Sequence, residues 1–112
     1  MHEIAMMKNL VGILDREVTA PEVGQVRKVH LEVGELKYIV PEILISAFEN
    51  IPKNEKLEGA ELKLEIVPVK VKCDDCGSES VVERNLFRCA ECSGNNVAIV
   101  SGKEFNLKGI EW

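Results

Sequence analysis

Residues 62–76 read Leu-Lys-Leu-Glu-Ile-Val-Pro-Val-Lys-Val-Lys-Cys-Asp-Asp-Cys. Leu62, Leu64 and Ile66 alternate with Lys63 and Glu65, the two-residue period of a strand with one buried face. Pro68 breaks that register, because proline has no N–H to give to a ladder. Val67, Val69 and Val71 carry the alternation on toward Cys73 with a change of face. A bend at Pro68 is therefore predicted, where the chain leaves one module for the next.

The second module begins with the cysteines. All four lie between positions 73 and 92, as Cys73-Asp-Asp-Cys76 and Cys89-Ala-Glu-Cys92, with 12 residues between the pairs. Two residues between thiolates let one tight turn aim both sulfurs at one ion, and a second such knuckle across a hairpin completes a tetrahedron. Gly77 follows the first knuckle and Ser93-Gly94 the second, and glycine supplies the φ > 0 conformations such turns demand. Four thiolates saturate a tetrahedral Zn²⁺ and leave no open position for chemistry, so the expected role is structural. Lys70, Lys72, Arg84 and Arg88 lie near enough in sequence to offset the cluster's charge. Iron suits four sulfurs equally, so a rubredoxin-like electron carrier stands as a rival. A zinc-ribbon adaptor for nucleic acid is a second rival. The hairpin between the knuckles offers it one aromatic, Phe87, and no basic stripe.

Upstream, residues 2–18 are apolar at Ile4, Met7, Val11, Leu14 and Val18, with Leu10 and Ile13 widening the stripe. Intervals of three and four predict an amphipathic helix that fails by Thr19-Ala20-Pro21. Val29, Leu31 and Val33 alternate with Lys28, His30 and Glu32 in a strand ending at Gly34, which makes His30 a solvated strand histidine. A second helix opens at Pro41 and runs to about Asn50, burying Leu44, Ala47, Phe48 and Ile51, with Ile43 and Ile45 broadening the stripe. After Cys92, Val97, Ile99, Phe105, Leu107 and Ile110 suffice for a returning strand. The predicted fold is α/β, an α+β two-layer sandwich of two helices on a three-stranded sheet, with an inserted zinc-ribbon module. Residues 1–68 plus 98–112 form the α/β domain, and residues 69–97 the inserted ribbon.

Composition narrows the function. The chain has 112 residues, room for one core and little more. Acidic residues outnumber basic ones, 19 to 14, which argues against a surface built for phosphate backbone and so against nucleic acid as a partner. No apolar run approaches the roughly 20 residues of a membrane span, and Met-His-Glu opens nothing like a secretory signal. The expectation is a soluble, cytoplasmic protein. No phosphate-binding glycine loop and no Cys–His pair outside the cysteine cluster is present, so no enzyme is expected.

The first helix begins almost at residue 1, placing His2 and Glu3 at the start of a rigid element. A terminal amine, the following amide nitrogens and a nearby imidazole can chelate one metal, and a nitrogen-rich planar set suits Ni²⁺ or Cu²⁺. Taken alone, a histidine at position 2 is more often an ordinary side chain than a ligand. Together, however, Met1-His2-Glu3, the order of elements, and the C-x₂-C-x₁₂-C-x₂-C spacing resemble the HypA/HybF family of hydrogenase-maturation nickel metallochaperones. Gly24 to Gly34, followed by Glu35-Leu36, also looks like that family's first strand and turn.

The resemblance covers essentially the whole chain. It implies that His2 is the principal Ni²⁺ ligand, completed by backbone nitrogens of Met1, His2 and Glu3, with Glu3 adjoining the site or contributing its amide. It implies that Cys73, Cys76, Cys89 and Cys92 hold the structural Zn²⁺. Such proteins hand nickel, as transferred cargo, to the large subunit of NiFe hydrogenase, acting with a partner GTPase of the HypB type. In some bacteria they also serve urease maturation. The protein would act as a monomer or a homodimer. Some relatives carry histidines flanking the cysteine pairs. Here only His2 and His30 occur, so a simple four-cysteine site is expected.

Overall fold

The computed structural model describes residues 3–83 and 86–112. His2 and Met1, and Arg84 of the predicted charge offset, lie outside the described residues. Two helices and two small sheets divide the chain into two compact units: residues 1–31, 39–65 and 106–112, and residues 32–38 and 66–105.

The first unit holds both helices, α1 (Glu3–Glu17) and α2 (Pro41–Asn50), packed against each other. Met7, Leu10, Val11 and Leu14 of α1, Val18 after it, and Leu44 and Phe48 of α2 are buried. Three isoleucines expected in the stripes are not: Ile4, Ile13 and Ile43 are 58%, 43% and 48% exposed, because the buried faces are narrower than the apolar ones. Glu3 is buried in the first turn of α1, 3% exposed. Its carboxylate accepts a hydrogen bond from the Val40 N–H at 3.2 Å. Val40 is the N-cap of α2, so the acid also meets the positive end of that helix.

Proline at the first position starts α2 as predicted. Lysines finish both helices. Lys53 Nζ donates to the carbonyls of Phe48 (2.9 Å) and Ile51 (3.2 Å) at the end of α2. Lys56 Nζ donates to the Val18 carbonyl (2.8 Å) just beyond α1. Each satisfies carbonyls that a helix end leaves without a partner.

A three-stranded sheet has the order β2-β1-β6, with β1 (Lys28–Gly34), β2 (Glu61–Val67) and β6 (Phe105–Glu111). In β1, Val29, Leu31 and Val33 point inward and alternate with half-exposed Lys28, His30 and Glu32, as the sequence predicts. His30 Nε2 pairs with the Glu111 carboxylate, which holds the Glu111 carboxyl below its ordinary range.

The second unit is a separate three-stranded sheet, β4-β3-β5, with β3 (Lys70–Cys73), β4 (Glu79–Val81) and β5 (Val97–Ser101). Both pairings are antiparallel, Val71 facing Ser80 on one side and Ile99 on the other. Pro68 separates β2 from β3 where the bend was predicted. The single returning strand expected after Cys92 is instead two strands, β5 in one sheet and β6 in the other. The break falls at Gly102, whose φ of +112° is open to glycine alone. The core of this unit is small: Val69, Val71 and Val82, with Leu36 and Val97 packed against them.

Gly34 and Gly102 make the tightest backbone approach. A Cβ on Gly34 would lie 2.1 Å from the Gly102 carbonyl oxygen, and one on Gly102 would lie 2.9 Å from Val69 Cα. Gly102 O also accepts from the Leu36 N–H at 2.8 Å, so the backbone there has little room to yield. Gly34→Ala is expected to lower stability by about 1–3 kcal/mol in chemical denaturation. Gly12→Ala, in the middle of α1 where a Cβ meets nothing within 4 Å, is expected to raise it by up to about 1 kcal/mol.

Candidate metal centre

β3 delivers Cys73 at its end, and the chain turns at once into Cys76. The second knuckle, Cys89 to Cys92, precedes β5, whose Val97 pairs with Cys73. The two knuckles are built alike. Cys73 N–H donates to Ser78 O and Gly77 N–H to Cys73 O, at 2.9 and 2.8 Å. Cys89 N–H donates to Gly94 O and Ser93 N–H to Cys89 O, both at 2.9 Å. The same turn therefore occurs twice, and each presents two sulfurs to the same point.

Gly77 takes the left-handed conformation, φ +77°, as predicted. In the second knuckle that conformation falls to Ser93, φ +60°, and not to its glycine neighbour. Gly94 serves space instead: a Cβ there would stand 3.2 Å from Cys92 Sγ and 3.4 Å from an Asp75 carboxylate oxygen.

The four Sγ atoms all lie within 4.8 Å of one another, and they form the cluster able to hold a metal among the described residues. Among these, Cys73–Cys92 and Cys76–Cys89 lie at 3.6 and 3.4 Å. Sulfurs about 2.3 Å from a shared tetrahedral ion would be about 3.8 Å apart, so the cluster is near the size the ion requires. An all-thiolate donor set with no open place suits a soft or borderline ion held for structure. Cys89 Sγ also accepts from the Glu91 and Cys92 N–H groups, at 3.3 and 3.4 Å.

Without an ion the four thiols do not ionise together. The Ser78 N–H and hydroxyl beside Cys76 bring its thiol down to about 6. The Gly94 N–H favours the Cys92 thiolate, but the neighbouring thiols of Cys73 and Cys89, with desolvation, outweigh it and push Cys92 up to about 12. A divalent cation removes that conflict, because it stabilises all four charges at once. Ser78 could be found from sequence only as a residue two beyond a knuckle cysteine, and nothing in the sequence marked its role.

Of the residues proposed for nickel, only Glu3 is described. Its buried carboxylate is engaged with the Val40 N–H, which comes from 37 positions away. The other histidine of the chain, His30, pairs with Glu111. No helix among the described residues is long and apolar enough to cross a membrane.

Comparison with known proteins agrees with this arrangement. The family described as hydrogenase/urease nickel incorporation, metallochaperone, hypA matches residues 1–112. Two relatives, each named hydrogenase maturation factor HypA, come from Caldanaerobacter subterraneus subsp. tengcongensis and Chloroflexus aurantiacus. They are 39% and 36% identical to this chain, each match covering 99% of it and 98% of the relative. The solution structure of the Ni metallochaperone HypA from Helicobacter pylori is similar in fold, with a TM-score of 0.68 at 23% identity over 99% of this chain and 97% of that one. A second solution structure of a HypA protein gives 0.72, also at 23% identity, over 99% of this chain and 95% of that one. The chain thus belongs to the HypA family of nickel metallochaperones, which act in nickel incorporation into hydrogenase and urease.

Proposed function

We propose that the protein binds its Ni²⁺ cargo at the N-terminus and delivers it to the large-subunit precursor of a NiFe hydrogenase. His2 supplies the imidazole, and backbone nitrogens of Met1, His2 and Glu3 complete the set. A HypB-type GTPase assists the transfer, and urease maturation proteins are further recipients. Cys73, Cys76, Cys89 and Cys92 hold a resident structural Zn²⁺. The work divides between a nickel-binding α/β body and an inserted zinc ribbon, in a cytoplasmic monomer or homodimer.

One observation carries the reading: the chain matches a nickel-incorporation metallochaperone family over residues 1–112, its Met1-His2-Glu3 start included. The four sulfurs converge on one point and leave no vacancy for a second ion. His30 is paired with Glu111, and the Glu3 carboxylate with Val40. The set proposed at Met1-His2-Glu3 is rich in nitrogen, and a nitrogen set of that kind suits Ni²⁺.

Calorimetric titration of zinc-loaded protein with an untagged N-terminus tests the reading. One Ni²⁺ per chain is expected for the wild type. His2→Ala is expected to weaken binding by more than about 100-fold, since losing a mere outer partner of a ligand already costs about 10–100-fold. Zinc content and circular dichroism should not change. Affinity should fall with pH through about 8 to 6, where the α-amine and imidazole take up the protons that compete with nickel. Equal binding by both proteins would move the cargo elsewhere.

A further inference from the structure

The four cysteines differ in exposure in a way that metal binding alone does not require. Cys76 and Cys92 are exposed to solvent, while Cys73 and Cys89 are each 1% exposed. Each exposed sulfur has a buried one as its close neighbour, and in both cases that neighbour belongs to the other knuckle. Cys76 Sγ lies 3.4 Å from Cys89 Sγ, and Cys92 Sγ lies 3.6 Å from Cys73 Sγ. The cluster therefore contains two pairs, each with one sulfur that an oxidant can reach and one behind it that can resolve the product.

We propose that the cluster is a peroxide-sensitive switch whose oxidised form carries the cross-knuckle disulfides Cys76–Cys89 and Cys73–Cys92. The step balances with hydrogen peroxide as oxidant. An exposed thiolate attacks the O–O bond, takes one oxygen as a sulfenic acid and releases hydroxide. The buried partner then attacks that sulfur, forming the S–S bond and expelling the second oxygen as hydroxide. Two electrons pass from each thiolate pair to one peroxide, and two peroxides convert the cluster. The first disulfide removes two of four ligands, so the ion leaves with it. The expected partners follow from these two sulfur–sulfur contacts, which join Cys76 to Cys89 at 3.4 Å and Cys73 to Cys92 at 3.6 Å.

The inference rests on the reading of the cluster as a zinc site, and the experiment separates the two. Zinc is first counted in the purified wild-type protein. Graded hydrogen peroxide is then added with a chromogenic chelator present, free thiols are alkylated at each dose, and disulfide-linked peptides are mapped by mass spectrometry. The expected result is Zn²⁺ release of one ion per chain, in step with loss of two thiols, with peptides joined as 76–89 or 73–92. Disulfides within either CxxC motif, or sulfinic and sulfonic acids in place of disulfides, would overturn the proposal. So would zinc retained after a cross-linked pair has formed. Protein that holds no zinc before peroxide fails the zinc reading, while the mapped pairs still decide the pairing. A thiol reductant with added Zn²⁺ should restore the starting state.

Discussion

Removing the metal, or replacing Cys89 with serine, is expected to unfold residues 66–105 while α1 and α2 survive. The second unit has strands of four, three and five residues and a core of Val69, Val71 and Val82. Modules this small do not bury enough apolar surface to fold alone and depend on a metal, disulfides or a partner. So small a core cannot order a segment of this length. A structural Zn²⁺ supplies about 10–16 kcal/mol of binding free energy, which becomes folding free energy here. Chelation should therefore collapse the amide dispersion of residues 66–105. The helical signal in circular dichroism should persist, because both helices belong to the other unit. Reloading the ion at pH 7 should release protons, because the thiols of an unfolded segment are largely protonated there and bind the ion only as thiolates. Metal affinity should accordingly rise with pH. A metal-free protein that keeps its dispersion in residues 66–105 would refute this.

Phe48→Ala is expected to be the most damaging change in the first unit, at about 3–5 kcal/mol. The ring is 1% exposed, and the Lys53 ammonium lies 5.1 Å from its centroid. Truncation leaves a cavity and removes the surface over which Lys53 reaches the carbonyls ending α2. Because whole domains are stable by only about 5–15 kcal/mol, this one change consumes much of the margin. Urea denaturation should show an earlier midpoint with zinc content unchanged. A midpoint within the error of the wild type would mean that Phe48 does not anchor α2.

As a HypA metallochaperone the chain is a maturation factor and not an enzyme. Much of its fold was legible in local patterns. Pro41 starts α2, the alternation over Lys28–Gly34 makes β1, and Pro68 divides β2 from β3. The CxxC spacing foretold the four-sulfur cluster that the structure brings together. What local pattern did not carry depends on distant partners. Ile4 and Ile43 carry the same apolar signal as their buried neighbours, yet only packing against another element decides which positions are covered. Burial of Glu3 likewise needs Val40, which no spacing around residue 3 reveals. The split between β5 and β6 at Gly102 follows from close approach to Val69 and Gly34, a contact that the run of apolar residues from Val97 to Ile110 does not show. Ser93 takes the left-handed conformation because it stands where Gly77 stands in the first knuckle, each donating its N–H to the carbonyl of the cysteine four residues earlier.

The central claim is that cargo and resident metal use different donors, nitrogen at the terminus and sulfur in the knuckles. X-ray absorption at the nickel and zinc edges of one doubly loaded sample tests it most directly. The account predicts a nickel shell of nitrogen and oxygen only, lost in His2→Ala, and a zinc shell of four sulfurs that the variant leaves unchanged. Sulfur scattering at the nickel edge, or a zinc shell containing nitrogen, would contradict it.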